Sequence, residues 1–264
     1  LNHISVRNDD GVAYLEAMSP VDCIFLDPAR RNEHGGKTVA ISDCEPNVAE
    51  LEGLLLSKAN RIMIKLSPML DLSQALKELP HTQEVHIISV NNECKELLLL
   101  LGQTAPEEIP VHCVNLSTKG EQEKQLFVFT REQEQHSECS YTDTLGNYLY
   151  EPNASLLKAG AFRSIAAAYS AKKLHPNSHL YTSDTQIEGF PGRTFRIINR
   201  CSLNKKEIKE NLSDLKKANI TVRNFPATVA ELRKRIKLAE GGDTYLFAST
   251  LNDGQKILIR CGKV

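Results

Sequence analysis

The 264-residue chain is 41% hydrophobic and 25% charged, with 32 Lys and Arg against 33 Asp and Glu. That is ordinary for a globular protein with one large core or two smaller ones, and it names no function. No apolar run reaches the roughly 18 residues of a membrane span, and Leu1-Asn2-His3 lacks the basic-then-apolar order of a signal peptide.

The near-neutral total hides an asymmetry. Residues 1 to 195 carry roughly 17 Lys and Arg against 26 Asp and Glu, while residues 196 to 264 carry roughly 15 against 7. A basic C-terminal region of this kind suits a polyanion such as RNA, although a basic face is often only solvated. Cysteines at 23, 44, 94, 113, 139, 201 and 261 contain no Cys-x-x-Cys pair and read as reduced thiols of a cytoplasmic protein. Cys23, Cys113 and Cys201 lie in apolar runs and are expected as small buried hydrophobes; no metal-ligand set is expected.

In chain order, residues 3–6 read as the end of a strand and 11–18 as a short helix. Residues 21–26 read as a buried strand that delivers Asp27-Pro28-Ala29-Arg30 to a sheet edge, where Pro28 stiffens the turn. A polar loop with Gly35-Gly36 follows, then a helix over 46–58, a strand over 61–66 ending in Ser67-Pro68, a helix over 72–79 and a strand over 84–90. This alternation predicts a right-handed parallel α/β sheet. Asn91 or Asn92 is expected to cap a buried helix through the apolar run Leu97–Leu101. Runs at 110–116 and 124–129 around Lys119-Gly120 read as a closing hairpin, and polar residues 131–140 as a linker.

Beyond the linker a helix is expected over 154–169, then a strand over 194–201 after Gly189-Phe190-Pro191-Gly192. Asn204 and Glu207 have capping-box spacing for a helix with its lysines outward. A strand at 220–225, a second basic helix around 229–236 and a hairpin turning at Asn252-Asp253-Gly254 complete a β-α-β-α-β-β unit. The expected domains are 1-135, a helical or irregular connection at 141-193, and a basic α/β domain at 194-264.

Two blocks carry a family resemblance. One is Asp27-Pro28-Ala29-Arg30-Arg31 with Lys65-Leu66-Ser67-Pro68 and Val90-Asn91-Asn92-Glu93-Cys94-Lys95-Glu96-Leu97. The other is Tyr150-Glu151-Pro152-Asn153-Ala154 with the basic module ending Gly241-Gly242-Asp243. Together they resemble bacterial Rossmann-like, S-adenosylmethionine-dependent methyltransferases with a C-terminal THUMP-like domain, over nearly the whole chain. The resemblance implies an α/β methyltransferase sheet followed by a smaller α+β domain, S-adenosyl-L-methionine as cofactor and RNA, either rRNA or tRNA, as substrate. DNA and membrane partners are not expected.

The resemblance assigns Asp27, Pro28 and Arg30 to the catalytic loop and Asp10 and Asp27 to the cofactor. Asp10 reads equally as a helix cap. Arg30 stands where amino-group methyltransferases carry an aromatic residue that stacks a base, so either arginine stacking or phosphate binding fits. Lys65 and Ser67 end a strand at the same edge, where solvation and turn formation are the plainer reading. The Gly-rich loop and the ribose-binding acid of such enzymes have no counterpart upstream of His3, and there is no initiator Met, so the chain is expected to hold the back half of the cofactor site and to be inactive alone. Lys205, Lys206, Lys209, Arg233, Lys234 and Arg235 are the expected RNA contacts. A non-catalytic RNA-binding protein on the same scaffold is the alternative, and an unrelated α/β enzyme that uses Asp27 as a general acid or metal ligand is a third reading.

Overall fold

The computed structural model describes residues 3–30, 40–118 and 124–264. The chain divides into two compact units, Leu1–Arg131 and Glu132–Val264. The expected loop around Gly35-Gly36 and the turn at Lys119-Gly120 lie outside the described residues.

In the first unit, a side-chain cap starts each of the three described α-helices. Helix α1 (Gly11–Ala17) begins at Asp10, whose carboxylate accepts from the Val12 and Ala13 N–H groups at 3.0 and 2.8 Å. Strand β1 (Val21–Leu26) runs into Asp27-Pro28, and the short strands β2 (Ala29–Arg30) and β3 (Cys44–Glu45) pair antiparallel just beyond it. Helix α2 (Val48–Lys58), capped by Asn47, leads to β4 (Ala59–Leu66), and α3 (Leu72–Glu78), capped by Asp71, leads to β5 (Thr82–Val90). With β6 (Glu93–Leu101), β7 (Pro110–Leu116) and β8 (Lys124–Thr130) they form a six-stranded sheet of order β1-β4-β6-β5-β7-β8.

Residues 3–6, read as the end of a strand, form none, and two further expectations fail here. The run Leu97–Leu101 is the centre of strand β6 and not a helix, and it lies antiparallel between β4 and β5. Asn91 and Asn92, with φ of 50° and 65°, form the left-handed two-residue turn of a β5–β6 hairpin. An all-apolar run has no period to separate helix from strand. In the fold Leu97, Leu99 and Leu101 are buried while Leu98 and Leu100 are half-buried, the two-residue alternation of a strand. The second failure is β1, which is an edge strand with β4 as its neighbour, Val21 being 42% and Phe25 57% exposed. Cys23 is exposed with it, whereas Cys113 and Cys201 are buried.

In the second unit the expected linker opens with a helix, α4 (Arg131–His136). Its Glu134 accepts from the N–H groups of Phe162, Arg163 and Ser164 at 3.0, 2.8 and 2.8 Å, satisfying the start of a later helix. Strand β9 (Tyr148–Pro152) leads to α5 (Ala154–Ala159) and α6 (Phe162–Ala168). The single helix expected over 154–169 is thus two, because Gly160 at φ 76° ends the first with a left-handed cap. Strands β10 (Lys172–Lys173) and β11 (Tyr181–Ser183) follow, so the segment expected as helical or irregular also supplies three strands to a sheet.

The remaining elements are β12 (Gly192–Cys201), α7 (Lys205–Leu212), β13 (Asn219–Val222), α8 (Val229–Ile236), β14 (Thr244–Thr250) and β15 (Lys256–Lys263). Their order is the β-α-β-α-β-β series read from the sequence. Asn204 caps α7, its side-chain oxygen accepting from Glu207 N–H at 2.8 Å, while Thr228 and Glu231 cap α8 reciprocally. The seven-stranded sheet runs β10-β11-β9-β12-β15-β14-β13. One face buries Phe195, Phe247 and Ile259, and the other buries Leu246, Ala248 and Leu258 under α7 and α8.

Candidate active site

Parallel pairing of β1 with β4 sets Leu26 beside Ile64, so the residues that leave the two strands, Asp27 and Lys65-Leu66-Ser67, emerge together at their carboxyl ends. Carboxyl ends of parallel strands are where open α/β sheets place their ligands. Here they open on a cavity of about 160 Å³. Its polar lining is Asp27, Lys65, Ser67, Lys95 and Glu96, with Pro28, Cys44, Leu66 and Pro68 completing the wall. None of these is aromatic.

Lys65 organises the polar side. Its ammonium lies 2.7 Å from Asp27 Oδ2 and 3.7 Å from Glu96 Oε2. The hydrogen bond from Lys65 to Asp27, with Glu96 adding its charge, holds the lysine above its ordinary pKa against a smaller desolvation effect. Lys65 therefore stays an ammonium and Asp27 keeps a cation on one oxygen. The Asp27 side chain is 53% exposed, so its remaining lone pairs face the opening. Glu96 arrives from β6, the antiparallel strand that sequence periodicity reads as helix, and its place in the cavity is invisible until that strand is seen. The signal was present in the turn pair Asn91-Asn92 ahead of Glu93-Cys94-Lys95-Glu96.

Of the residues expected to act together, Asp27 and Pro28 line the cavity and Asp10 does not. Asp10 caps α1 through both of its short hydrogen bonds. Arg30 pairs its backbone with Cys44, and Arg31 lies outside the described residues. Ser67 has a turn role, its Oγ accepting from Met69 N–H at 3.2 Å. On the second unit, Lys205, Lys206 and Lys209 are exposed along α7, and Lys234 and Arg235 along α8. The two helices share one side of the sheet, so these cations face outward together. Arg233 is half-buried and donates to the Ala218 carbonyl at 3.3 Å, and Arg235 donates to the Leu203 carbonyl at 2.8 Å, so both also hold local structure.

Residues 148–191 match a ferredoxin-like domain family, and residues 192–263 match the THUMP domain-like family. A crystal structure of a protein proposed to be a methyltransferase, from Porphyromonas gingivalis W83, is similar to the chain at 40% identity with a TM-score of 0.83. The match covers 92% of this chain and 60% of that one, so the chain spans about 60% of the length of this relative. Comparison with curated proteins gives no match. The fold class is thus the expected one, an α/β sheet followed by a THUMP-like domain; the sheet is mixed and not parallel as read, because β6 as well as the closing strand β8 pairs antiparallel, and the ferredoxin-like match replaces the expected helical or irregular connection.

The THUMP-like domain is latched to the ferredoxin-like domain by a buried acid. Glu151, 2% exposed on β9, accepts from Arg193 Nε at 2.9 Å and from Arg223 Nη2 at 2.8 Å, both arginines belonging to the THUMP-like domain. Such a pair of guanidiniums satisfies a carboxylate that could not stay charged alone in the interior. No described helix is long and apolar enough to cross a membrane.

Proposed function

We propose that this protein takes part in S-adenosylmethionine-dependent methylation of RNA, either rRNA or tRNA, with the acceptor group held at the Asp27 cavity and the RNA held by the THUMP-like domain. The observation that carries the reading is the Asp27–Lys65 pair opening from the carboxyl ends of two parallel strands, in a chain 40% identical to a protein proposed to be a methyltransferase. Methyl transfer asks little of side chains beyond orientation of the acceptor. Asp27 accepts a hydrogen bond from the acceptor's N–H or O–H, Lys65 fixes the carboxylate's direction, and Pro28 fixes the backbone that follows. Arg30 follows in the short strand β2, and binding a base or a phosphate is within a guanidinium's chemistry.

The described residues fit the acceptor side of such a site and not the whole cofactor. A cavity of about 160 Å³ is below the roughly 300 Å³ at which small-molecule sites begin. Asp10, the expected partner of the adenine, is engaged as a helix cap. We therefore assign the cofactor-binding front half to residues outside this chain. The basic faces of α7 and α8 are assigned to RNA phosphates, which supply affinity and not sequence choice. Free thiols agree with a cytoplasmic location.

The test is transfer of labelled methyl from S-adenosylmethionine to bulk rRNA and tRNA by an upstream-extended protein. Asp27→Asn is expected to lower transfer about 100-fold or more, in the range of a lost proton acceptor, with the far-UV circular dichroism unchanged. RNA retention without transfer by either form would instead establish the non-catalytic RNA-binding reading.

A further inference from the structure

The six-stranded sheet carries a second group of ligand-type side chains. Strands β5 and β7 run parallel in a register that sets His86 beside His112. Their rings stack at 4.4 Å with 10° between planes. Glu84, two residues before His86 and therefore on the same face, brings Oε2 to 3.1 Å from His86 Nε2 and 3.9 Å from His112 Nε2. One ligand atom from each of the three lies within 4.8 Å of the others.

Tetrahedral zinc sites have metal–nitrogen and metal–oxygen bonds of about 2.0–2.2 Å, which puts neighbouring ligand atoms about 3.3 Å apart. From within 4.8 Å, the three groups close to that spacing by up to about 1.5 Å, with the stacked imidazoles tilting so that both nitrogens face one ion. The imidazoles are each 26% exposed and the carboxylate 45%, so a coordination position stays open to solvent. Leu98 pairs with His86 on one side and Val128 with His112 on the other, giving apolar flanks that limit competition from bulk water. A simple Glu84–His86 ion pair accounts for one contact. It gives no reason for a second imidazole stacked on the first with its nitrogen turned toward the same carboxylate.

We propose that Glu84, His86 and His112 form a binding site for a divalent transition-metal ion of the zinc type. Two imidazoles and a carboxylate select a borderline ion over magnesium, which prefers an all-oxygen octahedron. The site spans β5 and β7 and stands apart from the methyl-transfer reading, so either can fail alone.

The test is calorimetric titration of zinc chloride into this 264-residue chain after chelator treatment, with magnesium chloride in parallel. One equivalent of zinc is expected to bind, with magnesium silent. His86→Asn and His112→Asn are each expected to weaken zinc binding at least about tenfold, the lower bound for loss of even an outer-sphere partner. Zinc is also expected to raise the thermal midpoint of the original chain and not of the double variant. Both histidines are part-exposed, so the asparagine variants are expected to fold, and far-UV circular dichroism checks this. Cobalt substitution guards against binding by the free thiols: a cobalt spectrum without thiolate charge-transfer bands supports the site. Absence of zinc binding, equal affinity in the histidine variants, or thiolate bands would each overturn the proposal.

Discussion

Asp27 in the six-stranded sheet and Glu151 in the seven-stranded sheet are both carboxylates paired with cations, in opposite settings. Asp27 is 53% exposed and held by one lysine; Glu151 is 2% exposed and held by two arginines. An exposed pair contributes little to stability, because water competes for both charges. It leaves the carboxylate lone pairs to spare, which is what a site for a reacting group needs. A buried pair must satisfy the acid completely, and removing one partner is costly because the others stay behind. Thus the same chemical contact leaves Asp27 open to the acceptor proposed for it in the first sheet and works in the second as architecture.

That contrast can be broken by measurement. Glu151→Gln is expected to cost about 2–3 kcal/mol in urea unfolding, somewhat below a fully buried pair because water reaches both guanidiniums. A cost near zero would make the latch between the ferredoxin-like and THUMP-like domains incidental. The response of the second unit to acid should be the next largest effect. His179, stacked on Phe162 at 3.7 Å, is lowered from 6.5 to about 4 by burial first, then by Lys173 and Arg223. Between those values the unfolded chain binds the proton and the folded chain resists it. Stability is therefore full above about pH 6.5 and declines as the pH falls toward 4. His179→Asn, which tolerates the local φ of 52°, should flatten the fall in stability measured by urea midpoints across that window.

The outward cations of the second unit give a smaller effect. Replacing Lys205, Lys206, Lys209 and Lys234 by Ala is expected to weaken RNA binding and to flatten its salt dependence, by about 0.7 log units per log unit of salt for each single-strand phosphate that is no longer neutralised. Arg233 and Arg235 are poorer probes, since their bonds to Ala218 and Leu203 mix stability into the readout. An unchanged salt slope would remove α7 and α8 from the interface. Smallest of all should be the stability change of Asp27→Asn, within about 1 kcal/mol by urea unfolding, as for an exposed pair.

Much of this was legible in the residues themselves. Asn204 with Glu207, and Thr228 ahead of Glu231, are local contacts within one helical turn, and they set their helices where spacing placed them. The β-α-β-α-β-β order of the THUMP-like domain follows from such local signals. The break at Gly160 was less legible, because an Ala- and Leu-rich run reads as one helix until the left-handed glycine is seen. Glu134, read as linker polarity, became a cap for α6 through partners some thirty positions away, a contact that no local pattern encodes.

The sequence by itself determined the strand that ends in Asp27-Pro28, the strand that ends in Lys65, the basic faces of α7 and α8 and the caps that start them, since each depends on neighbours a few residues apart. Only the tertiary structure decided that Leu97–Leu101 is a strand, that β1 stands exposed at an edge, and that Glu96 joins Lys65 and Asp27. The physical reason is pairing: an apolar run becomes strand or helix according to which partners complete its backbone hydrogen bonds, and register alone brings distant charges into one cavity.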